Sequence, residues 1–256
     1  MTLSDNLHPF PTLEFEQILW NDGFTRIAGI DEAGRGAWAG PVTAAAVILP
    51  VDPSLMKTLN RVRDSKLMTP LAREAWAPRI KESAVGWGVG LASVEEIDTV
   101  GIVPATKLAA RRAIENLLID YMITDYLIFP EIDLPQTALV KGDQRSLSVA
   151  AASVLAKTTR DALMRNLDGR YPGYGFARHK GYGTRLHQEA IRMLKQSEIH
   201  RKSFSIPGKI KRARCNLRAC PLNKYHPGIT AAKRFSQTSQ LVYCTPGTCP
   251  RLGLRG

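Results

Sequence analysis

Apolar and polar positions along the chain switch repeatedly between a period of two and a period near 3.6. Thr25–Asp31 ("TRIAGID") and Val42–Leu49 ("VTAAAVIL") are short apolar runs of strand character, the second closed by Pro50-Val51-Asp52-Pro53. Thr69 followed by Pro70 predicts a helix start, and the helix runs through "LAREAWAPRIKES", with Pro78 as a point of break or kink. "VGWGVGLAS" predicts a glycine-rich strand, and Ser93-x-x-Glu96 a capping box for a short helix. Pro104 predicts the start of a helix through "ATKLAARRAIENLL". "YLIF" and "TALVKG" are expected as short strands, and "SLSVAAASVLAKTTRDALMRNL" and "GTRLHQEAIRML" as helices. Strands alternating with helical patterns predict an α/β fold, a sheet with helices packed on it. The pattern stops at "IPGKIKRARC", where positive charge begins.

Charge sharpens that boundary. The formal net charge is +12, which points to an anionic partner. Ten of the 35 basic residues lie beyond position 207 with no acid among them, leaving 25 basic against 23 acidic residues before it. The basic signal therefore belongs to the tail. All four cysteines, Cys215, Cys220, Cys244 and Cys249, lie there as well. Their two Cys-x4-Cys pairs loosely resemble a zinc site, but the spacing is long and no His stands at ligand distance. The sequence reads as a 1–24 extension, a 25–207 main domain and a disordered basic tail over 208–256. A second reading makes that tail a salt-sensitive nucleic-acid-binding module. No apolar run is long enough to span a bilayer, and the N-terminus lacks a signal-peptide pattern, so a cytoplasmic protein without membrane contact is expected.

The candidate chemistry sits in "GIDEAGRGAWAGPV". Asp31 and Glu32 end an apolar run and precede Gly34, Arg35 and Gly36. Neighbouring strand residues point to opposite faces, so the two acids share a site only if the chain turns there, which the glycines permit. Carboxylates for a cation beside bare amides for a sugar-phosphate backbone suggest metal-assisted phosphodiester chemistry. Asp143 in "LVKGD" supplies another acid at the end of an apolar run. Asp161 is expected at the surface, and Asp64 in a loop.

Five motifs occur in order: "GIDEAGRGxxxGPV", "DSKLM", "VKGDQRSLSVAAASVLAKTTRD", "YGFARHKGYGT" and "HRKSF". Together they resemble bacterial ribonuclease HII, the type 2 ribonuclease H, over roughly 25–204. The resemblance implies a ribonuclease H-like fold, a mixed central sheet flanked by helices with helical C-terminal elements. It implies cleavage of RNA in RNA/DNA hybrids and incision 5′ to ribonucleotides embedded in DNA, with Mg²⁺ or Mn²⁺, leaving 3′-hydroxyl and 5′-phosphate ends; a monomer is expected. Asp31, Glu32 and Asp143 match catalytic, metal-binding acids. Gly34, Arg35 and Gly36 match the motif that reads the junction between a ribonucleotide and the next deoxynucleotide, by backbone contact with the 2′-hydroxyl. Tyr182 matches the tyrosine that packs on that deoxyribose, and Lys66 a residue near the phosphates. Ser153 and Lys157 are expected to serve helix–sheet packing, and His179 and His187 a structural or substrate-facing role.

One departure is expected. The family carries a further aspartate at the end of the strand before "LPQ…KGD". Following Leu127-Ile128 with Phe129 leaves that place without an acid; Glu131 or Asp133 substitutes if the loop bends back, and otherwise Asp133 reads as a plain turn acid, with Glu131 no better placed. The alternative is a hybrid-binding homologue with impaired catalysis.

Overall fold

The computed structural model describes residues 9–206, which belong to one compact unit, Met1–Lys209. The basic, cysteine-containing tail expected over 208–256 lies outside the described residues. In chain order the elements are α1 (Glu14–Asn21), β1 (Ile27–Ala33), β2 (Val42–Ile48), α2 (Leu55–Thr58), α3 (Pro70–Ser83), β3 (Gly86–Ala92), α4 (Val94–Val100), α5 (Ile102–Ile114), β4 (Tyr121–Asp125), β5 (Gln136–Leu139), α6 (Gly142–Arg145), α7 (Leu147–Arg170), α8 (Phe176–His179) and α9 (Arg185–Leu194).

The strands form one mixed sheet in the order β3-β2-β1-β4-β5. β1 pairs antiparallel with β2 and parallel with β4, and β4 pairs parallel with β5. β1 is therefore central and covered on both faces. The long helix α7 covers one face, its Leu147, Val154 and Leu155 meeting Val47 and Leu49. On the other face the alanines of α5, Ala105, Ala109 and Ala113, meet Ala44 and Ala46. The glycines of β3 are explained by this second contact. A Cβ at Gly88 would stand 2.0 Å from the Ala113 carbonyl oxygen, and one at Gly90 2.1 Å from that of Ala109. Only glycine lets the helix backbone lie this close to the strand.

Several local expectations hold in detail. Thr69 caps α3 by accepting from the Ala72 N–H at 3.2 Å, with Pro70 in the first turn. Ser93 and Glu96 form a complete capping box on α4. Pro78 neither breaks nor ends α3, which runs on to Ser83. The helix expected from Pro104 begins at Ile102 instead, and Pro104 occupies the first turn, where a missing N–H leaves no hydrogen bond unmade.

Two expectations need correction. The 1–24 segment was expected as an extension, yet α1 is built into the core. Phe15 packs with Ile27, Ile123 and Val149. Glu16 is 1 % exposed, and its Oε1 accepts from Ser146 Oγ at 2.6 Å, Ser148 N at 2.9 Å and Ser148 Oγ at 2.7 Å. A buried carboxylate at the start of α7 satisfies one free helix N–H, that of Ser148, and faces the positive end of the helix dipole. "YLIF" was expected as a strand, but the strand is the preceding Tyr121–Asp125. Tyr126 takes a left-handed conformation, φ 65°, which ends the strand. Leu127 and Phe129 then fold into the core from a loop, where the Gln136 side chain binds both the N–H and the carbonyl of Phe129 at 2.7 and 3.0 Å.

Candidate active site

The strand correction changes the site. Ending β4 at Asp125 puts that carboxylate beside the end of β1, because the parallel register sets Ile30 opposite Thr124. Asp143 lies in the first turn of α6, shortly after β5, and the Gly142 N–H donates to Asp125 Oδ1 at 2.8 Å. Asp31, Glu32, Asp125 and Asp143 thus converge from three chain segments. Asp31, Glu32 and Asp125 line a groove of about 530 Å³ together with Gly34, Arg35, Gly36, Lys66 and Tyr182. β1 stays extended through Ala33, and the chain turns at Gly34 rather than at the acids themselves. Gly34 has φ 94°, and a Cβ there would meet Arg160 Nε at 1.9 Å, so both conformation and space require glycine.

The acids repel one another. Burial raises the Asp31 carboxyl well above the ordinary carboxylate range, and Glu32 and Asp125 push it further. Burial raises Glu32 too, against the lowering effect of the Arg35 guanidinium, whose Nη1 lies 3.1 Å from Glu32 Oε1. Asp143 is pushed up to about 6 by burial, Asp64 and Asp125. Burial would lower the Lys66 ammonium, but Asp64, Asp31, Asp143 and Asp125 together raise it. Its Nζ stands 3.5 Å from Asp143 Oδ2 and 4.0 Å from Asp64 Oδ1. Lys66 and Arg35 are thus the positive charges that face this cluster directly. Among the described residues, no three acids are already closed into a ready ligand cage. The donor set is nevertheless all carboxylate oxygen, the type that suits a small hard divalent cation.

Glu131 and Asp133, the candidate substitutes, do not line the groove. Glu131 pairs with Lys107 at 3.5 Å, and Asp133 is exposed in the loop. Asp125 stands among the acids, so the place the sequence left open at Phe129 is not a gap in the cluster. The premise for an impaired, hybrid-binding homologue, Phe129 in place of an aspartate, falls with it. The signal was present in the sequence: Met122-Ile123-Thr124 ends on an acid just as Gly29-Ile30 ends on Asp31.

Asp64 lies in a loop as expected, but buried, while Asp161 is not at the surface. Asp64 is 4 % exposed, caps the turn at Ser65–Leu67 through the Lys66 N–H at 2.9 Å, and acts electrostatically on Asp143. Asp161 is 6 % exposed and held by Lys157 at 2.8 Å and Arg73 at 3.4 Å. Ser153 is buried on α7 and accepts from the Ser65 N–H at 3.0 Å, which ties the helix to the Ser65–Leu67 turn. Lys157 does more than pack, since it lines the groove and stands 5.3 Å from the Tyr182 ring centre.

His179 and His187 are structural. With His200 they are packed against Tyr174 and Phe176. His187 Nδ1 lies 3.0 Å from the Tyr182 carbonyl oxygen, so it carries the proton and donates. Its Nε2 must then accept from His200 Nε2, 3.0 Å away, while His200 Nδ1 accepts from the Ser197 N–H at 2.9 Å. His200 Nδ1 also lies 2.8 Å from Ser197 Oγ, and the His187–His200 and Ser197 N–H bonds are all made with both rings neutral. This chain of hydrogen bonds ends on Tyr182, so the cluster fixes the backbone of a groove residue.

The comparisons with known proteins agree with this geometry. The family model described as Ribonuclease HII matches residues 28–206. The chain belongs to the ribonuclease HII family. The ribonuclease HII of Dehalococcoides mccartyi is 49 % identical over 193 residues, 74 % of this chain and 90 % of that protein. The ribonuclease HII of Thermus thermophilus is 48 % identical over 192 residues, 74 % of this chain and 91 % of that protein. Among solved structures, that of the PCNA:RNase HII complex from Archaeoglobus fulgidus is similar, with a TM-score of 0.59 and 26 % identity over 69 % of this chain and 92 % of that one. The mixed sheet flanked by helices is the ribonuclease H-like fold. The protein is a metal-dependent endoribonuclease that cleaves RNA in RNA/DNA hybrids and incises DNA at embedded ribonucleotides.

Proposed function

We propose that Asp31, Glu32, Asp125 and Asp143 hold the divalent cation, Mg²⁺ or Mn²⁺, and that the groove beside them selects a ribonucleotide followed by a deoxynucleotide. The observation that carries this is the convergence of four mutually repelling carboxylates at one end of the groove that Gly34–Gly36 and Tyr182 line. What a divalent cation supplies there is charge neutralisation at the phosphoryl and leaving oxygens and a more acidic water. The remaining work falls to the chain. The Gly34-Arg35-Gly36 backbone approaches the ribose 2′-hydroxyl, the group that distinguishes RNA from DNA. Tyr182 packs on the next sugar, where a second 2′-hydroxyl would collide with its ring. Lys66, 69 % exposed at its side chain, reaches a backbone phosphate, and the Arg35 fork suits two phosphate oxygens. Water adds to phosphorus 5′ to the ribonucleotide, and the bond to the upstream 3′-oxygen breaks. The products are a 3′-hydroxyl and a 5′-phosphate.

The proposed enzyme acts as a monomer. The absence of cysteine before position 215 agrees with a cytoplasmic one. The test is incision of a DNA duplex carrying one ribonucleotide, with Mg²⁺, Mn²⁺ or EDTA. Metal-dependent cutting 5′ to the ribonucleotide is expected. A folded protein that cuts elsewhere, or equally in EDTA, contradicts the proposal.

A further inference from the structure

Arg160 and Arg201 are both fully buried, at 0 % exposure. Each spends its guanidinium donors on backbone carbonyls. Arg160 donates to Pro41 at 3.0 Å, Lys180 at 2.9 Å and Ala39 at 3.1 Å. Arg201 donates to Gly40 at 3.0 Å, Arg35 at 2.8 Å and Gly34 at 2.8 Å. A buried cation is costly unless dipoles surround it, and six carbonyls do so here. Five of the six belong to the Gly34–Pro41 stretch, and the sixth lies two residues before Tyr182.

The direction of those carbonyls has a consequence. In a trans peptide the C=O and the following N–H point opposite ways. Drawing the Gly34 and Arg35 carbonyls inward to Arg201 turns the N–H groups of Arg35 and Gly36 the other way, towards the groove that both residues line. Among the described residues, neither amide donates to a backbone acceptor. Arg160 fills the space beside the Gly34 α-carbon and lies 5.3 Å from the Tyr182 ring centre, so it braces the loop and the tyrosine together.

We propose that Arg201, braced by Arg160, is a positioning residue for ribose recognition: it aims the Arg35 and Gly36 amides at the 2′-oxygen without touching substrate itself. This rests on the proposal above that the Gly34–Gly36 loop reads the ribose.

The test compares the full chain and Arg201→Lys, which keeps the charge but loses the planar fork. Affinity is measured in EDTA, so that no strand is cut, for two duplexes of one sequence, with and without a single ribonucleotide. Two neutral hydrogen bonds give the wild type a preference of about tenfold for the ribonucleotide. Arg201→Lys is expected to bring that ratio close to one while leaving the all-deoxy affinity unchanged. An unchanged ratio, or equal losses on both duplexes, overturns the inference. If the variant does not fold, the amide resonances of Arg35 and Gly36 in the wild type decide. Shifts caused by the ribonucleotide duplex alone support the proposal, and identical shifts with both duplexes overturn it. A wild type without any preference refutes ribose reading by the loop, and is told apart by failing before the variant is compared.

Discussion

The buried histidines make stability depend on pH in a way that can be worked out. His187 and His200 are 0 % exposed, and burial pushes each down to about 4 from an ordinary 6.5. Protonating His187 Nε2 would set two N–H groups head to head with His200, and protonating His200 Nδ1 would oppose the Ser197 N–H. The folded state therefore binds these protons less readily than the unfolded chain. The stabilisation is complete above the unfolded value of 6.5 and is lost as pH falls from there towards the folded value. Between pH 7 and pH 5, linkage gives a loss of about 2 kcal/mol per histidine. The two contributions add, since both rings stay neutral in the folded state over this range while both protonate in the unfolded chain. The carboxylates act in the opposite sense. Asp143 is raised to about 6, so its repulsion is relieved as pH falls through that value. The wild type alone therefore mixes two trends, and the comparison has to be a double difference. Urea unfolding at pH 7 and pH 5 is measured for the wild type and for His200→Gln, which lacks one titrating ring. The wild type is expected to lose about 2 kcal/mol more than the variant. Equal changes in both, within about 0.5 kcal/mol, would refute the neutral-ring assignment.

Two further outcomes are expected. Tyr182→Ala should lower incision at a single embedded ribonucleotide about tenfold more than cleavage of a long RNA/DNA hybrid, the scale of one lost ring–nucleotide contact; equal losses in kcat/KM on both substrates would argue against junction reading. Deleting residues 1–24 should destabilise the domain by roughly 3 kcal/mol or more, since it uncovers Ile27 and Val149 and strips Ser146 and Ser148 of the Glu16 carboxylate; a truncated protein with unchanged Tm would return α1 to the status of an appendage.

Much of this architecture is legible in the sequence wherever local chemistry and packing agree. β1 and β2 are continuous apolar runs because both faces of the sheet centre are covered. Thr69-Pro70 and Ser93-x-x-Glu96 announce α3 and α4 through side chains that satisfy free N–H groups at the helix starts. The misreadings have one physical origin: burial set by tertiary contact leaves no local mark. Leu127 and Phe129 are apolar because a loop folds them into the core, and that run imitated a strand and hid Asp125 behind it. Glu16, Asp64 and Asp161 are polar residues whose partners lie far along the chain. Arg160 and Arg201 gave no sign that they hold the groove loop, since their acceptors are backbone carbonyls more than 100 residues away for all but one of the six bonds.

The claim most exposed to test is that Asp125 completes the catalytic acids. The measurement is single-ribonucleotide incision by the wild type, Asp125→Asn, and the double variant Glu131→Gln/Asp133→Asn, with Mg²⁺ and folding checked by circular dichroism. Asp125→Asn should lose at least about a hundredfold in kcat, the scale of removing one group that stabilises transition-state charge, while the double variant keeps wild-type activity. An active Asp125→Asn beside an inactive double variant would contradict the account and return the missing acid to the loop after Phe129.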